Sequence, residues 1–171
     1  MLFVATEASG HRLRGHTAAV EDAEPWAVSY DIGVDGRWRT TEAHVRVSQR
    51  GGTSEVHLEA DGAGHWLVDG RPAPHLDGCL DVDLESSACT NALPVRRLAL
   101  DVGDRADAPA AYVRALDLGV ERLEQVYTRV ADAGRHQRYD YESPAFGVAC
   151  RLEYDEAGLV VDYPDLAVRA L

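Results

Sequence analysis

Asp77 to Leu100 reads DGCLDVDLESSACTNALPVRRLAL. Leu80-Asp81-Val82-Asp83-Leu84 alternates with period two, which predicts a strand. Successive strand side chains point to opposite faces, so Cys79, Asp81, Asp83 and Glu85 share one face and Leu80, Val82 and Leu84 the other. The acidic face is either solvated outside a core strand or turned into a cavity. Leu93 to Val102 also reads as extended and carries Arg96 and Arg97. On an unbroken strand Arg96 lies with Leu98 and Leu100, and Arg97 with Val95 and Ala99, so one arginine points inward. A buried guanidinium needs a carboxylate, because an unpaired interior charge is strongly unfavourable. Asp81 and Asp83 are the natural partners, as a structural ion pair or as part of a ligand site. Thr90-Asn91 reads as turn chemistry, with Asn91 as a ligand-binding amide the alternative.

Outward from this stretch, turn signals recur at short intervals. Asp35-Gly36, Asp61-Gly62, Asp69-Gly70 and Asp77-Gly78 suit the positive φ angles of tight hairpins, and Gly51-Gly52 adds another. Between them Trp26–Ile32, Trp38–Ser48, Ser54–Ala60 and His65–Val68 alternate, the pattern of an antiparallel meander. Further strands are expected at Tyr139–Tyr141 and in a hairpin of Val148–Tyr154 and Leu159–Tyr163 around Asp155-Glu156-Ala157-Gly158. Two stretches admit a helix, Asp107–Arg114 and Val120–Ala131. In the second, the β-formers Val126-Tyr127-Thr128-Arg129-Val130 favour strand. No linker or repeat interrupts residues 1–171, which read as one mainly β domain with little helix. So many strands must close or cover their edges, as a sandwich, a closed barrel or an incomplete one.

The net charge of -12 argues against nucleic acid and against anionic membrane surfaces. No apolar run approaches a membrane span, so no stable membrane insertion is expected. The N-terminus MLFVATEASGH lacks the basic leader of an export signal. Three cysteines, Cys79, Cys89 and Cys150, without CxxC spacing fit reduced thiols in a cytoplasm.

The seven histidines, His11, His16, His44, His57, His65, His75 and His136, match no metal-ligand spacing, and no metal or cofactor is expected. Nucleophile elbows and glycine-rich phosphate loops are missing. Gln125, Tyr127 and Arg129 align on one strand face and Tyr139 and Tyr141 on another. Tyrosines with an apolar body and a polar tip suit the wall of an amphiphile site, and equally any sheet surface.

These residues resemble the bacterial family described as putative glycolipid-binding. The matching pieces are Trp38-Arg39-Thr40, DGCLDVDLESSACTNALPVRRL from Asp77 to Leu98, Ala110-Ala111-Tyr112-Val113, Leu123 to Arg129, Tyr139-x-Tyr141, and GLVVDYPDLAVR from Gly158 to Arg169. The first two dozen residues match least. The resemblance implies a single-domain incomplete antiparallel β-barrel, like that of lipoprotein carriers. It also implies non-enzymatic binding of a glycolipid-like or other amphiphilic small molecule in the barrel cavity. Trp38, Arg39, Asp81, Asp83, Asn91, Arg96, Arg97, Gln125, Tyr127, Arg129, Tyr139 and Tyr141 are then the expected ligand-binding residues. The alternative is an enzyme of small-molecule metabolism using the arginine–carboxylate cluster in the same cavity. A third is a scaffold that pairs through an exposed strand edge.

Overall fold

The computed structural model describes residues 1–21 and 23–169; Asp22, Ala170 and Leu171 lie outside the described residues. The first seven strands form one antiparallel meander: β1 (Leu2–Glu7), β2 (Gly10–Glu21), β3 (Glu24–Asp35), β4 (Thr40–Gln49), β5 (Gly52–Ala60), β6 (Trp66–Val68) and β7 (Arg71–Pro72). Alternation decides their inner face. Trp26, Val28, Tyr30, Ile32 and Val34 of β3 lie against Val45 and Val47 of β4 and Val56 and Leu58 of β5. The β6–β7 turn uses Asp69-Gly70 as read, with φ 49° and 72°. The β3–β4 turn does not use Gly36. There the left-handed residue is Trp38, at φ 64°. Asp35 Oδ1 accepts from the amides of Arg37 at 2.8 Å and Arg39 at 2.9 Å. The Trp38 ring stacks on His11 at 4.2 Å, and the Arg96 guanidinium lies 4.1 Å from its centroid.

After the meander come β8 (Asp81–Leu84), α1 (Ala92–Leu98), β9 (Arg105–Asp107), β10 (Ala110–Val113), β11 (Val120–Leu123), β12 (Val126–Ala133), β13 (His136–Ser143), β14 (Val148–Tyr154), β15 (Val160–Tyr163) and β16 (Ala167–Val168). Strands β11, β10 and β8 form a small central sheet, in which β10 runs antiparallel to β11 but parallel to β8. Strands β16, β15, β14, β13, β12 and β9 form a third, antiparallel sheet in that order. Among the described residues the sheets do not close on one another, and the molecule is an incomplete, mainly β barrel. Thr40 joins the first sheet to the central one: its amide donates to the Leu80 carbonyl at 2.9 Å, and its Oγ1 accepts from the Val82 amide at 3.0 Å. One core lies under the meander. A second, tyrosine-rich core lies under the third sheet, where Tyr127, Tyr139, Tyr141, Tyr154 and Tyr163 surround Leu152 and Val95.

Three local expectations change. Leu93–Val102 is not extended, since its first part is helix α1. Pro94 sits in the first helical turn, where its missing N–H is not needed, and Ala99 ends the helix at φ 46°. Two turns are too short for a 3.6-residue period to stand out from a period of two. Asp107–Arg114 is not helical, because Pro109 divides it between β9 and β10 and favours extension at Ala108. Val120–Ala131 is strand, but broken at Glu124-Gln125, where the chain leaves the central sheet for the third.

Candidate functional site

Strand β8 is buried on both faces, so the acidic stripe is not a solvated surface. Asp81 is 1% exposed and Asp83 8%. The two carboxylates meet different partners. Asp81 receives the Arg97 fork, with Nε 3.0 Å from Oδ1 and Nη2 2.6 Å from Oδ2. On a helix, neighbours are about 100° apart rather than opposed, and Arg96 therefore goes elsewhere, over Trp38.

Asp83 has no ion pair among the described residues. The Thr90 hydroxyl donates to Oδ1 at 2.6 Å, and the Gln125 amide donates to Oδ2. Thr90 Oγ1 also accepts from the Leu84 amide at 3.1 Å, and the Ser87 carbonyl, 3.1 Å away, is a second acceptor for its single proton. Gln125 is brought here by the sheet switch that ends β11, where its carbonyl accepts from the Ala108 amide at 2.8 Å. The Asn91 amide donates to the Tyr127 hydroxyl at 2.9 Å, and that hydroxyl donates to Gln125 Oε1 at 3.4 Å. A buried relay thus runs Asn91, Tyr127, Gln125, Asp83, and both of its ends line one cleft.

The cleft has a volume of about 500 Å³. Its polar wall is the segment from Asp83 through Glu85, Ser86 and Ser87 to Asn91. Its apolar wall is Phe146, Val148, Leu166 and Ala167 with Leu123, and Tyr112, Tyr141 and Tyr163 add rings. Tyr112 and Phe146 pack with centroids 5.4 Å apart, and Tyr141 and Tyr163 at 5.8 Å. Glu85 Oε2 accepts from the Ala115 amide at 2.6 Å. Behind Ser87, the Tyr30 hydroxyl lies 3.2 Å from Ser87 Oγ and accepts from the Cys89 thiol at 3.2 Å.

Burial sets the electrostatics. It pushes the Asp83 carboxyl above the ordinary aspartate value, and the Thr90 and Gln125 hydrogen bonds only partly restore it. Burial also raises Tyr112 and Tyr141, and it lifts Tyr163 to about 12, so these hydroxyls keep their protons at neutral pH. A carboxyl raised in the folded state binds more protons folded than unfolded. Unfolding free energy therefore falls as pH rises through that window. The penalty is absent below the ordinary aspartate value and complete above the raised one. Asp83→Asn is accordingly expected to raise the melting temperature at pH 7, with a gain that shrinks toward pH 4. Paired thermal melts across that range check it, and a loss of stability at pH 7 would contradict it.

Of the residues singled out in the sequence, Asp83, Asn91 and Tyr141 line the cleft, and Gln125 and Tyr127 stand directly behind it. Trp38, Arg39, Asp81, Arg96, Arg97, Arg129 and Tyr139 do not line it. Arg39 Nε binds Asp35 at 2.7 Å and its Nη1 the Gly62 carbonyl at 2.7 Å. Arg129 pairs with Asp132 and lies 5.1 Å from the centroid of Tyr139, itself part of the tyrosine core. Among the described lining residues none is basic, so no arginine–carboxylate cluster forms in the cleft. Ser86, Ser87, Tyr112, Phe146 and Tyr163 were missing from the expected site. Tyr112, in the all-buried Ala110–Val113, carried the one usable sequence signal, a polar tip on an otherwise apolar strand.

Comparison with known proteins agrees with the fold. A DUF1089 family protein from Pseudomonas aeruginosa, solved as a crystal structure, is 35% identical, with a TM-score of 0.84 over 99% of this chain and 91% of that one. No curated protein matches the chain. The model of a family described as "Putative glycolipid-binding" matches residues 1–169, nearly the whole sequence. With that span matched, and an incomplete barrel where the resemblance implied one, the chain belongs to the putative glycolipid-binding family.

Proposed function

We propose that this protein binds an amphiphilic small molecule in the cleft between the β8–α1 segment and the third sheet. The observation that carries the reading is the division of the lining. Polar groups come from Asp83 to Asn91, and apolar groups come largely from Phe146 to Ala167. A volume of about 500 Å³ falls within the roughly 300–1,000 Å³ of small-molecule sites. The family description supports the same reading. Three free thiols support a reducing compartment, the cytoplasm. No described helix is long and apolar enough to cross a membrane.

Native mass spectrometry of the purified protein, followed by solvent extraction, tests the proposal. An added mass that extracts as an amphiphile is expected. A bare protein that stays bare after incubation with short-chain alkyl glycosides and alkylammonium salts would end it. Phe146 is half exposed at the mouth and packs on Tyr112. Phe146→Ala is expected to weaken binding roughly tenfold, about 1.4 kcal/mol, with little change in the melting temperature. Calorimetric titration of both proteins checks this.

A further inference from the structure

We infer that the head group this cleft selects is a cation of the ammonium type, held between the Asp83 and Glu85 carboxylates and the surrounding rings. The inference rests on the amphiphile reading above and names its ligand class. Two carboxylates line the cleft, and neither forms an ion pair among the described residues. Elsewhere in this chain arginines are spent freely on carboxylates: Arg97 on Asp81, Arg105 on Glu142, Arg151 on Asp140. Among the described residues no basic side chain lines the cleft, and Arg114, whose charge reaches Glu85 from outside it, is already paired with Asp117 and Glu121.

Asp83 lies deep, and its two donors, Thr90 and Gln125, are neutral. A buried carboxylate held by neutral donors alone is unfavourable unless it takes up a proton or meets a positive charge, and a cation in the cleft would favour its charged form. A site that read only hydroxyls would be served by an amide at lower cost, whereas an anionic head would meet two negative groups. The rings complete the match. Tyr112 with Phe146 and Tyr141 with Tyr163 place four aromatic side chains on the same cleft. Aromatic faces attract cations within about 6 Å of the ring centroid. Carboxylate and aromatic faces together form a cage suited to a primary or quaternary ammonium, with the apolar tail along Val148 and Leu166.

The test is calorimetric titration with three probes sharing a six-carbon chain: hexyltrimethylammonium, hexyl glucoside and hexyl phosphate. Hexyltrimethylammonium is expected to bind at least tenfold more tightly than hexyl glucoside, and hexyl phosphate not measurably. Asp83→Asn is expected to weaken the ammonium probe about tenfold and shift the glucoside less than twofold. Glu7→Gln removes the same charge from the exposed strand β1 and is expected to shift neither probe beyond twofold. Glucoside binding as tight as ammonium would overturn the inference and leave the amphiphile reading intact. So would equal effects of Asp83→Asn and Glu7→Gln, which would mean attraction by the overall negative charge. Binding of none of the three would remove both. Should Asp83→Asn fail to fold, the ranking of the probes on the unaltered protein still decides the matter.

Discussion

Arg97→Ala is expected to destabilise the fold by about 3–5 kcal/mol, the cost of stripping one partner from a buried ion pair. The Arg97 side chain is 13% exposed and that of Asp81 2%, and the guanidinium meets the carboxylate with both arms of its fork. Little water reaches Asp81 to replace what is lost. In the variant the carboxylate either stays charged and unsolvated or takes up a proton. The loss is therefore expected to be smaller at pH 4 than at pH 8. Against a typical total of about 5–15 kcal/mol, a loss of this size leaves a marginal protein. The double variant Asp81→Leu with Arg97→Met separates charge from shape. Removing both charges together is expected to recover most of the stability, since buried pairs are often replaceable by apolar side chains. Urea unfolding of the three proteins measures this. A single variant within 1 kcal/mol of the parent would show that the pair is solvated.

Tyr127→Ala is expected to cost about 3–5 kcal/mol through lost apolar burial and the cavity left behind. Tyr127 is fully buried and touches Tyr139 at 6.4 Å and Tyr141 at 5.2 Å between centroids. It also carries the middle of the relay, accepting from Asn91 and donating to Gln125. Tyr127→Phe keeps the ring and removes only the hydroxyl. It leaves the Asn91 amide without an acceptor, at about 1–3 kcal/mol. Because Asn91 and Gln125 then lose their fixed orientation, the phenylalanine variant is expected to weaken ligand binding as well. The Tyr127→Phe loss, read by urea unfolding and titration, separates the hydroxyl's part from the ring's. A phenylalanine variant as stable as the parent would mean that Asn91 finds another acceptor.

Particular residues explain what could be read in advance. Strands β3, β4, β5, β13 and β14 carry aliphatic or aromatic side chains on alternate positions, and burial of that face leaves one register. Strand β2 has no such row. Its inner positions include Leu13, Gly15 and Thr17, and Gly15 is small because a Cβ there would come 2.3 Å from the Tyr30 hydroxyl. That demand comes from a neighbouring strand and leaves no local periodicity. The need of Asp81 for an arginine followed from the cost of buried charge. Which arginine answered it depended on a two-turn helix whose pattern is too short to read. The apolar wall of the cleft was hidden for a related reason. Phe146 lies in a short turn between Pro144 and Gly147, where local pattern signals only a loop.

The parallel pairing of β8 with β10 has a kinetic consequence. Every neighbouring pair in the meander is joined by a short turn, and so is β12 through β16. Such local pairings form quickly, because little chain must be closed to make them. Strand β8 must instead wait for α1, β9 and the return of the chain into β10 before it finds its neighbour. The pairing of the strand that carries Asp83 is therefore expected to form after the hairpins of the two larger sheets. Folding followed by strand signal and by ligand binding together is expected to show binding competence no earlier than the strand signal. Occupancy of the cleft would then report the final step of folding, and a ligand would act chiefly by slowing the departure of β8 from its place.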